Sequence, residues 1–203
     1  MSLTLSQAAL LIKQGRLVCF PTETVYALAA DAFNDVAVEH VFKLKGRQIH
    51  TPLAVMVPHL EMAQEYGKFN QKALALGQKF WPGPLTLIVE KKPHQPPLST
   101  LINKGVDTIA IRVPDHPMAQ EILQAVNHPI VATSANPSGK ESAITAMQIR
   151  EYFGDALPII GQGQCTYGIA STIIDTTTTP MRVIRVGTLP ADRIHHIIDA
   201  PEA

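Results

Sequence analysis

The sequence predicts a mixed α/β (α+β) domain built around one twisted sheet, and three observations favour this class. Short apolar runs typical of buried strands alternate with segments of helical periodicity along nearly all of the 203 residues. No internal repeat or low-complexity linker divides the chain, so one domain over residues 1–203 is the simplest organisation. Apolar residues make up 46% and charged residues 17% of the chain, which is typical of globular proteins.

In the first half of the chain, Ser6 is the predicted N-cap of a helix that Gly15 ends. An apolar strand follows and stops at Pro21, where a loop begins. A WPGP sequence predicts a rigid turn at 81–84. Further helices are predicted at 34–44, 60–66 and 71–80, and strands at 17–20, 53–57 and 85–89.

The second half begins with a polar, proline-containing surface connection at 91–104. Thr145 is the predicted cap of the last clear helix. The tail is predicted to be helical or frayed, and its His195 and His196 to be solvated. Helices are predicted at 117–126 and 145–153, and strands at 108–113, 130–133, 157–160, 171–175 and 181–186.

Charge and cysteine content exclude several classes of protein. Seventeen basic and seventeen acidic residues give a net charge of zero, so an overall basic field that would favour nucleic acid is absent. Two cysteines, Cys19 and Cys165, do not make a disulfide framework and fit a reducing compartment. The chain lacks a signal peptide pattern and the roughly 20 consecutive apolar residues of a membrane span. We therefore expect a cytoplasmic protein without a membrane segment.

Several common catalytic motifs are also missing. The nearest match to a Walker A loop, PSGKE at 137–141, has glutamate where a hydroxyl is required, and GQG at 161–163 lacks the third glycine of a Rossmann fingerprint. No His-Glu-x-x-His, Cys-x-x-Cys or Gly-x-Ser-x-Gly pattern occurs, so we expect no zinc site and no serine hydrolase.

Four segments of unusual composition end or follow a predicted element. FPTETVY at 20–26 is either a ligand-binding loop after a strand or a capped loop, and KLKGR at 43–47 either binds phosphate or complements a helix dipole. Arg112, in AIRVP at 110–114, lies inside an apolar strand, so it needs a structural ion pair or an anionic ligand. TSANPSG at 133–139 either binds phosphate and ribose or is an ordinary Ser/Asn turn.

Taken together, these segments resemble the YrdC-like family of threonylcarbamoyl-AMP synthases, from about residue 17 to about residue 187. Each family motif is weak alone, but seven in the family's order are specific. The motifs are PTETVY at 21–26, KGR at 45–47, PL at 52–53, WPGPLT at 81–86, AIRVP at 110–114, SANPSG at 134–139 and STIID at 171–175.

The resemblance implies a curved mixed sheet with a large concave cationic cleft. It implies a nucleotidyltransferase that makes threonylcarbamoyl-AMP and pyrophosphate from L-threonine, bicarbonate and ATP, with Mg²⁺ accompanying ATP. Downstream threonylcarbamoyl-transferase proteins would then modify an adenosine beside the anticodon of certain tRNAs. The chain ends too early for the extra C-terminal domain of longer members, so the short form is expected.

The resemblance also implies roles for individual residues. Lys45 and Arg47 would act on the phosphates as the catalytic cations. The implied ATP-binding residues are Lys45, Arg47, Ser134, Asn136, Ser142 and Arg185, and the implied threonine-binding residues are Thr24, Tyr26, Arg112, Thr133 and Ser171.

Three positions depart from the common family pattern. Ala27 replaces a glycine, Gln48 stands where proline is frequent, and Thr51 stands where lysine or serine is frequent. The main alternative is a module that binds double-stranded RNA or associates with the ribosome, using the same basic cleft without this catalysis. A second alternative is a family relative with another carbamoyl-transfer or nucleotide-hydrolysing role.

Overall fold

The computed structural model describes residues 3–49, 51–103, 105–155, 157–190 and 192–194. Within these residues, each longer helix begins at a side-chain cap or at a proline. Thr4 and Thr145 both form capping boxes, and Gly46 ends its helix in the left-handed region at φ 61°. The helices are α1 (Leu5–Lys13), α2 (Asp35–Lys45), α3 (Leu60–Tyr66), α4 (Gln71–Phe80), α5 (Pro117–Val126) and α6 (Ala146–Phe153).

The strands of the described residues join in one mixed, mostly antiparallel sheet. They are β1 (Val18–Phe20), β2 (Ala27–Asp31), β3 (Ala54–Met56), β4 (Gly67–Lys68), β5 (Leu85–Lys91), β6 (Thr108–Arg112), β7 (Ile130–Ser134), β8 (Thr172–Asp175) and β9 (Arg182–Arg185). The order across the sheet is β1-β2-β7-β3-β6-β5-β8-β9, with β4 paired to β5 off this path. Parallel pairing joins β3 to β6 and β5 to β8.

The two faces of the sheet are covered to different extents. One face carries the larger core, where Phe42 of α2 and Leu76 of α4 pack with buried strand residues such as Ile111. The other face packs against α1 and α5, which also contact each other, but this second core involves only β1, β2, β7 and the end of β3. Among the residues that the structure describes, strands β6, β5, β8 and β9 therefore contribute no residue to the second core, and that part of the face is open for a site.

Most predicted elements are confirmed, with small shifts at their ends. The helices at 60–66, 71–80 and 117–126 have the predicted bounds, and Thr145 is the cap of α6. Cys19 and Cys165 are buried free thiols. None of the helices in the described part of the chain is long and apolar enough to span a membrane. The prediction of one domain over 1–203 stays a prediction, and His195 and His196 lie outside the described residues.

Two predictions about elements were wrong, and strand β2 was not predicted. Thr4, and not Ser6, caps α1, because the Thr4 hydroxyl accepts from the Gln7 amide while Gln7 bonds back to the Thr4 amide. The predicted strand at 157–160 makes only one isolated bridge, from Ile159 to Cys19. Strand β2 was missed because its sequence, ALAAD, lacks the β-branched and aromatic residues typical of strands.

Candidate functional site

A row of alanines crosses the sheet from β7 through β3 to β6, at the border of its open part. Ala54 of β3 lies opposite Ala110 of β6 on one side and Ala132 of β7 on the other. Because alternate residues of a strand share a face, the neighbours Val55, Ile111 and Val131 point into the larger core. The small side chains of the row leave space above the sheet, beside the part of this face where the described helices form no core.

This space is a cavity of about 340 Å³, within the roughly 300–1,000 Å³ range of small-molecule sites. Eight of the eleven predicted site residues line it, although they come from six separate parts of the chain. These eight are Thr24, Tyr26, Arg47, Arg112, Thr133, Ser134, Ser171 and Arg185. Residues from separate sequence motifs therefore line the same cavity.

Arg112 at the end of β6 makes a buried ion pair. Its Nη2 atom lies 2.7 Å from Oε1 of Glu23, its Nε donates to the Gly83 carbonyl at 3.3 Å, and both charged side chains are buried. The second carboxylate oxygen of Glu23, Oε2, is buried without a hydrogen-bond partner in the described part of the protein. The sequence allowed two alternatives for Arg112, a structural ion pair or a contact with an anionic ligand. The structure shows the ion pair, and it lies at the border of the cavity.

Arg47 and Arg185 line the cavity without a carboxylate within 4.0 Å among the residues described. Arg47 donates to the Pro52 carbonyl at 3.0 Å, and Arg185 donates to the Ser171 carbonyl at 3.0 Å and to its hydroxyl at 3.3 Å. Burial lowers the pKa of Arg185, and the nearby positive charges of Arg112 and Arg47 lower that pKa further. Three guanidinium groups are therefore close enough to interact, and one of them is paired with a carboxylate.

Hydroxyl groups form two hydrogen-bonded pairs in the wall. Thr22 and Thr24 hydroxyl oxygens are 2.8 Å apart, and since the Thr22 hydroxyl donates to the Val25 carbonyl, the Thr24 hydroxyl is the donor to Thr22. Thr86 and Ser171 hydroxyl oxygens are likewise 2.8 Å apart. The Thr24 oxygen therefore has accepting capacity left, and the short side chains do not fill the space beside them.

Thr24 and Tyr26 border the cavity but are fully buried. The Tyr26 hydroxyl donates to the Gly163 carbonyl at 3.2 Å, which fixes the ring in the wall. Thr133 and Ser134, at the end of β7, are partly exposed. The predicted threonine contacts of Thr24 and Tyr26 stay predictions, since neither side chain reaches solvent in this conformation.

Three predicted site residues do not line the cavity: Lys45, Asn136 and Ser142. Lys45 is buried and donates to the Ser134 and Asn136 carbonyls. Both amide hydrogens of Asn136 are used by the Pro137 and Lys140 carbonyls. Lys45 thus contacts the loop after β7, to which Asn136 belongs, and the Ser134 carbonyl that it contacts is part of a lining residue. Direct contact of Lys45 and Asn136 with phosphate stays a prediction.

Sequence reasoning did not single out several lining residues. Thr22 and Thr86 lie inside the PTETVY and WPGPLT motifs, so the motifs themselves carried a signal for them. Ala110 lies likewise inside the AIRVP motif, whereas Ala54 and Ala132 belong to no motif. An alanine offers no functional group, and these positions matter here because a larger side chain would fill the cavity. Ile173 and Ile184 add apolar surface at the β8–β9 side.

The donor set at the cavity does not form a metal cage. None of the lining residues identified in the described chain is a carboxylate, histidine or cysteine. Across the residues that the structure describes, no group of three such side chains is placed to hold a metal ion. A divalent cation at this site would therefore depend on ligands that another molecule brings.

The fold and the cavity together define a class of protein: a mixed α/β domain with a cavity of ligand size beside the open part of its sheet. The model of the Sua5/YciO/YrdC family, described as telomere recombination, matches residues 10–187, and the chain belongs to this family. Threonylcarbamoyl-AMP synthase of Pyrococcus abyssi is 39% identical over 193 residues, covering 94% of this chain and 56% of that protein. This chain thus spans little more than half the length of that relative.

Other relatives and solved structures agree with this membership. A putative threonylcarbamoyl-AMP synthase of Methanocaldococcus jannaschii is 35% identical over 184 residues, covering 90% of this chain and 85% of that protein. The structure of P. abyssi Sua5 complexed with L-threonine superposes with a TM-score of 0.90 at 38% identity, covering 96% of this chain and 57% of that one. Escherichia coli YciO, at 24% identity and a TM-score of 0.79 over 91% of this chain and 89% of its own, shares the fold.

Proposed function

We propose that this protein is a threonylcarbamoyl-AMP synthase that uses L-threonine, bicarbonate and ATP. The observation that carries the proposal is the convergence of Arg47, Arg112, Arg185 and a set of hydroxyls on one cavity. Relatives that carry this activity in their names, and one described as complexed with L-threonine, support the same substrate class. The enzyme would be a nucleotidyltransferase.

The triphosphate would lie against Arg47 and Arg185. These guanidinium groups line the cavity and have no carboxylate partner among the residues described. Guanidinium groups suit this role because their planar array of donors matches phosphate oxygens. The hydroxyl of Ser134, at the end of β7, would add a neutral donor. The phosphate groups would then lie in the cationic cleft that the family resemblance implies.

L-Threonine would occupy the side of the cavity near Arg112. The guanidinium of Arg112 is held in place by Glu23, so it can meet the substrate carboxylate without losing its structural partner. Thr133 and Ser171 would add hydroxyls for the polar groups of the amino acid. The cavity wall also contains the apolar side chains of Ala170 and Ile173, which suit the substrate methyl group.

The chemistry requires positioning and charge stabilisation and no covalent nucleophile from the protein. The neutral threonine amine attacks the carbon of bicarbonate, and loss of water leaves a carbamate anion. A carbamate oxygen then attacks the α-phosphorus of ATP, and the bond to pyrophosphate breaks. Arg47 and Arg185 would stabilise the negative charge that develops on the phosphate oxygens.

Mg²⁺ would arrive with ATP and be held mainly by phosphate oxygens and water, as magnesium frequently is. The lining residues named above fit this mode, because they supply hydroxyls and guanidinium groups and leave the metal to the nucleotide. Downstream threonylcarbamoyl-transferase proteins and tRNA would use the product. We place this activity in the cytoplasm, where tRNA, ATP and the reducing conditions suited to two free thiols occur together.

The test is incubation of the purified chain with ATP, Mg²⁺ and bicarbonate, and with each amino acid in turn. We expect pyrophosphate and an AMP adduct with L-threonine, and little of either with serine, valine or no amino acid. Equal pyrophosphate release without an amino acid would exclude the proposal. Tight binding of double-stranded RNA without threonine-dependent turnover would instead favour a role as an RNA-binding module.

A further inference from the structure

Lys45 is a buried lysine at the C-terminal end of α2, with 4% of its surface exposed. A buried ammonium group is costly unless hydrogen bonds replace its lost hydration. Its three acceptors are the Ser134 carbonyl, the Asn136 carbonyl at 2.7 Å and the Asn136 side-chain oxygen at 3.3 Å. Because an ammonium has three hydrogens, these contacts use its whole donor capacity.

The same loop bonds back to the helix end. The Ser138 amide donates to the Lys45 carbonyl at 2.7 Å, and the Asn136 side-chain amide bridges the Pro137 and Lys140 carbonyls at 2.9 and 2.8 Å. The acceptors of the ammonium group therefore belong to a loop that is itself closed by internal hydrogen bonds. Helix α2 and the loop after β7 are joined at several points around one charge.

Each of the two joined elements delivers a lining residue to the cavity. Gly46 ends α2 with φ 61°, a left-handed conformation that suits glycine, and the chain then turns so that Arg47 borders the cavity. Ser134, whose carbonyl accepts from Lys45, borders the same cavity from the end of β7. The relative placement of Arg47 and Ser134 thus depends on the contact between Lys45 and the loop.

We propose that Lys45 is a positioning residue that clamps the loop at 134–138 to the end of α2 and so sets Arg47 and Ser134 at a fixed separation. It acts through backbone carbonyls, while phosphate is met by the guanidinium and hydroxyl groups that it places. The consequence for turnover rests on the proposed function, whereas the clamp itself is a property of the ligand-free protein.

The electrostatic surroundings fit this role. Burial lowers the pKa of Lys45 to about 8, the positive charge of Arg47 lowers it as well, and Cys19 on β1 acts in the opposite direction. At neutral pH the group is therefore still an ammonium with three donors for the loop.

The first experiment compares Lys45→Met with Lys43→Met, a matched control in the same helical turn. Lys43 is exposed and pairs with Glu39 at 3.0 Å. Hydrogen–deuterium exchange of the ligand-free protein should rise about tenfold or more at the loop amides of Lys45→Met, since charge-assisted hydrogen bonds are lost, and stay unchanged in Lys43→Met. Equal loop exchange in wild type and Lys45→Met would overturn the clamp.

A second measurement uses the unaltered protein, so it stands even where Lys45→Met does not fold. With ¹⁵N-labelled lysine and ¹³C-labelled carbonyls, NMR should detect coupling across the hydrogen bonds from Lys45 Nζ to Ser134 and Asn136. We expect the coupling without ligand and its persistence at saturating non-hydrolysable ATP analogue. Loss of the coupling on nucleotide binding would show that Lys45 moves to phosphate and would refute the positioning role.

Turnover distinguishes this inference from the proposed function. In a pyrophosphate-release assay, Lys45→Met should raise the KM for ATP about tenfold, as expected for loss of charged hydrogen bonds, and leave the KM for threonine within about twofold. Equal increases in both constants would indicate a general loss of structure and overturn the specific role. Absence of turnover in wild type would count against the synthase assignment, while the exchange and NMR results would still decide the clamp.

Discussion

The guanidinium of Arg112 and the carboxylate of Glu23 are 2.7 Å apart, although 89 positions separate them in the chain, and each side chain is about 95% buried. One oxygen of the carboxylate is committed to Arg112, and the other has no partner in the described protein. The pair joins the loop after β1 to the end of β6 at the border of the cavity. The arrangement makes both stability and ligand binding sensitive to one carboxylate.

Glu23→Ala should lower the free energy of unfolding by roughly 3–5 kcal/mol, because it leaves the Arg112 charge buried and unpaired. Urea denaturation followed by the fluorescence of Trp81 measures this change. The matched control is Glu39→Ala, which removes an exposed partner of Lys43 and should cost less than about 1 kcal/mol. Similar losses for the two variants would contradict the importance of the buried pair.

Arg47→Ala should weaken ATP binding about 10- to 100-fold, as expected when hydrogen bonds from a charged group to phosphate are lost. Stability should change little, because the side chain of Arg47 is hydrogen-bonded within the described protein through one bond to the Pro52 carbonyl, and its backbone bond to the Phe42 carbonyl is kept in the variant. Calorimetric titration with a non-hydrolysable ATP analogue measures the affinity. Arg150→Ala, which removes an exposed cation paired with Asp155, is the control and should bind normally; unchanged affinity in Arg47→Ala would refute its phosphate role.

Ala110→Leu should abolish detectable binding of threonine or the nucleotide while leaving the free energy of unfolding within about 1 kcal/mol, because the added side chain enters an open cavity and meets no packed core. The control is Thr108→Leu, since Thr108 lies on the same face of β6 one pleat away and does not line the cavity. Binding is measured by titration and stability by denaturation. Normal binding by Ala110→Leu would show that ligands do not use this floor.

The buried charge of Lys45 predicts a pH dependence of stability. Burial, reinforced by Arg47, lowers its pKa from 10.5 to about 8, while Cys19 opposes the shift. Between these values the unfolded chain holds the proton and the folded protein does not, so the free energy of unfolding should rise as pH increases from about 8 to about 10.5. Lys45→Met lacks this titration.

Denaturation of wild type and Lys45→Met at several pH values across this window measures the effect. The stability difference between the two should move in favour of wild type as pH rises, since the penalty of burying the ammonium disappears. If the free energies of unfolding of the two proteins kept a constant difference across this pH range, Lys45 would have its ordinary pKa in the folded protein.

The periodicity of the sequence alone determined most helices and the strands with β-branched residues. Helices α3, α4 and α5 could be predicted to the residue, because helical spacing and caps are properties of neighbouring residues. The motif order likewise identified eight residues that border the cavity. Strand β2 was missed because ALAAD has no strong local preference, and its pairing with β1 and β7 decides its conformation.

Only the tertiary structure decided what the charged residues contact. The sequence required a partner for a buried Arg112 but did not say that Glu23 supplies it, and it placed Lys45 among cations without showing that carbonyls of a distant loop take its donors. It also did not show that Ala110 of the AIRVP motif lies beside Ala54 and Ala132 in one row across the sheet. Local patterns follow from the geometry of adjacent residues, whereas these contacts depend on strand pairing and register between segments far apart in the chain.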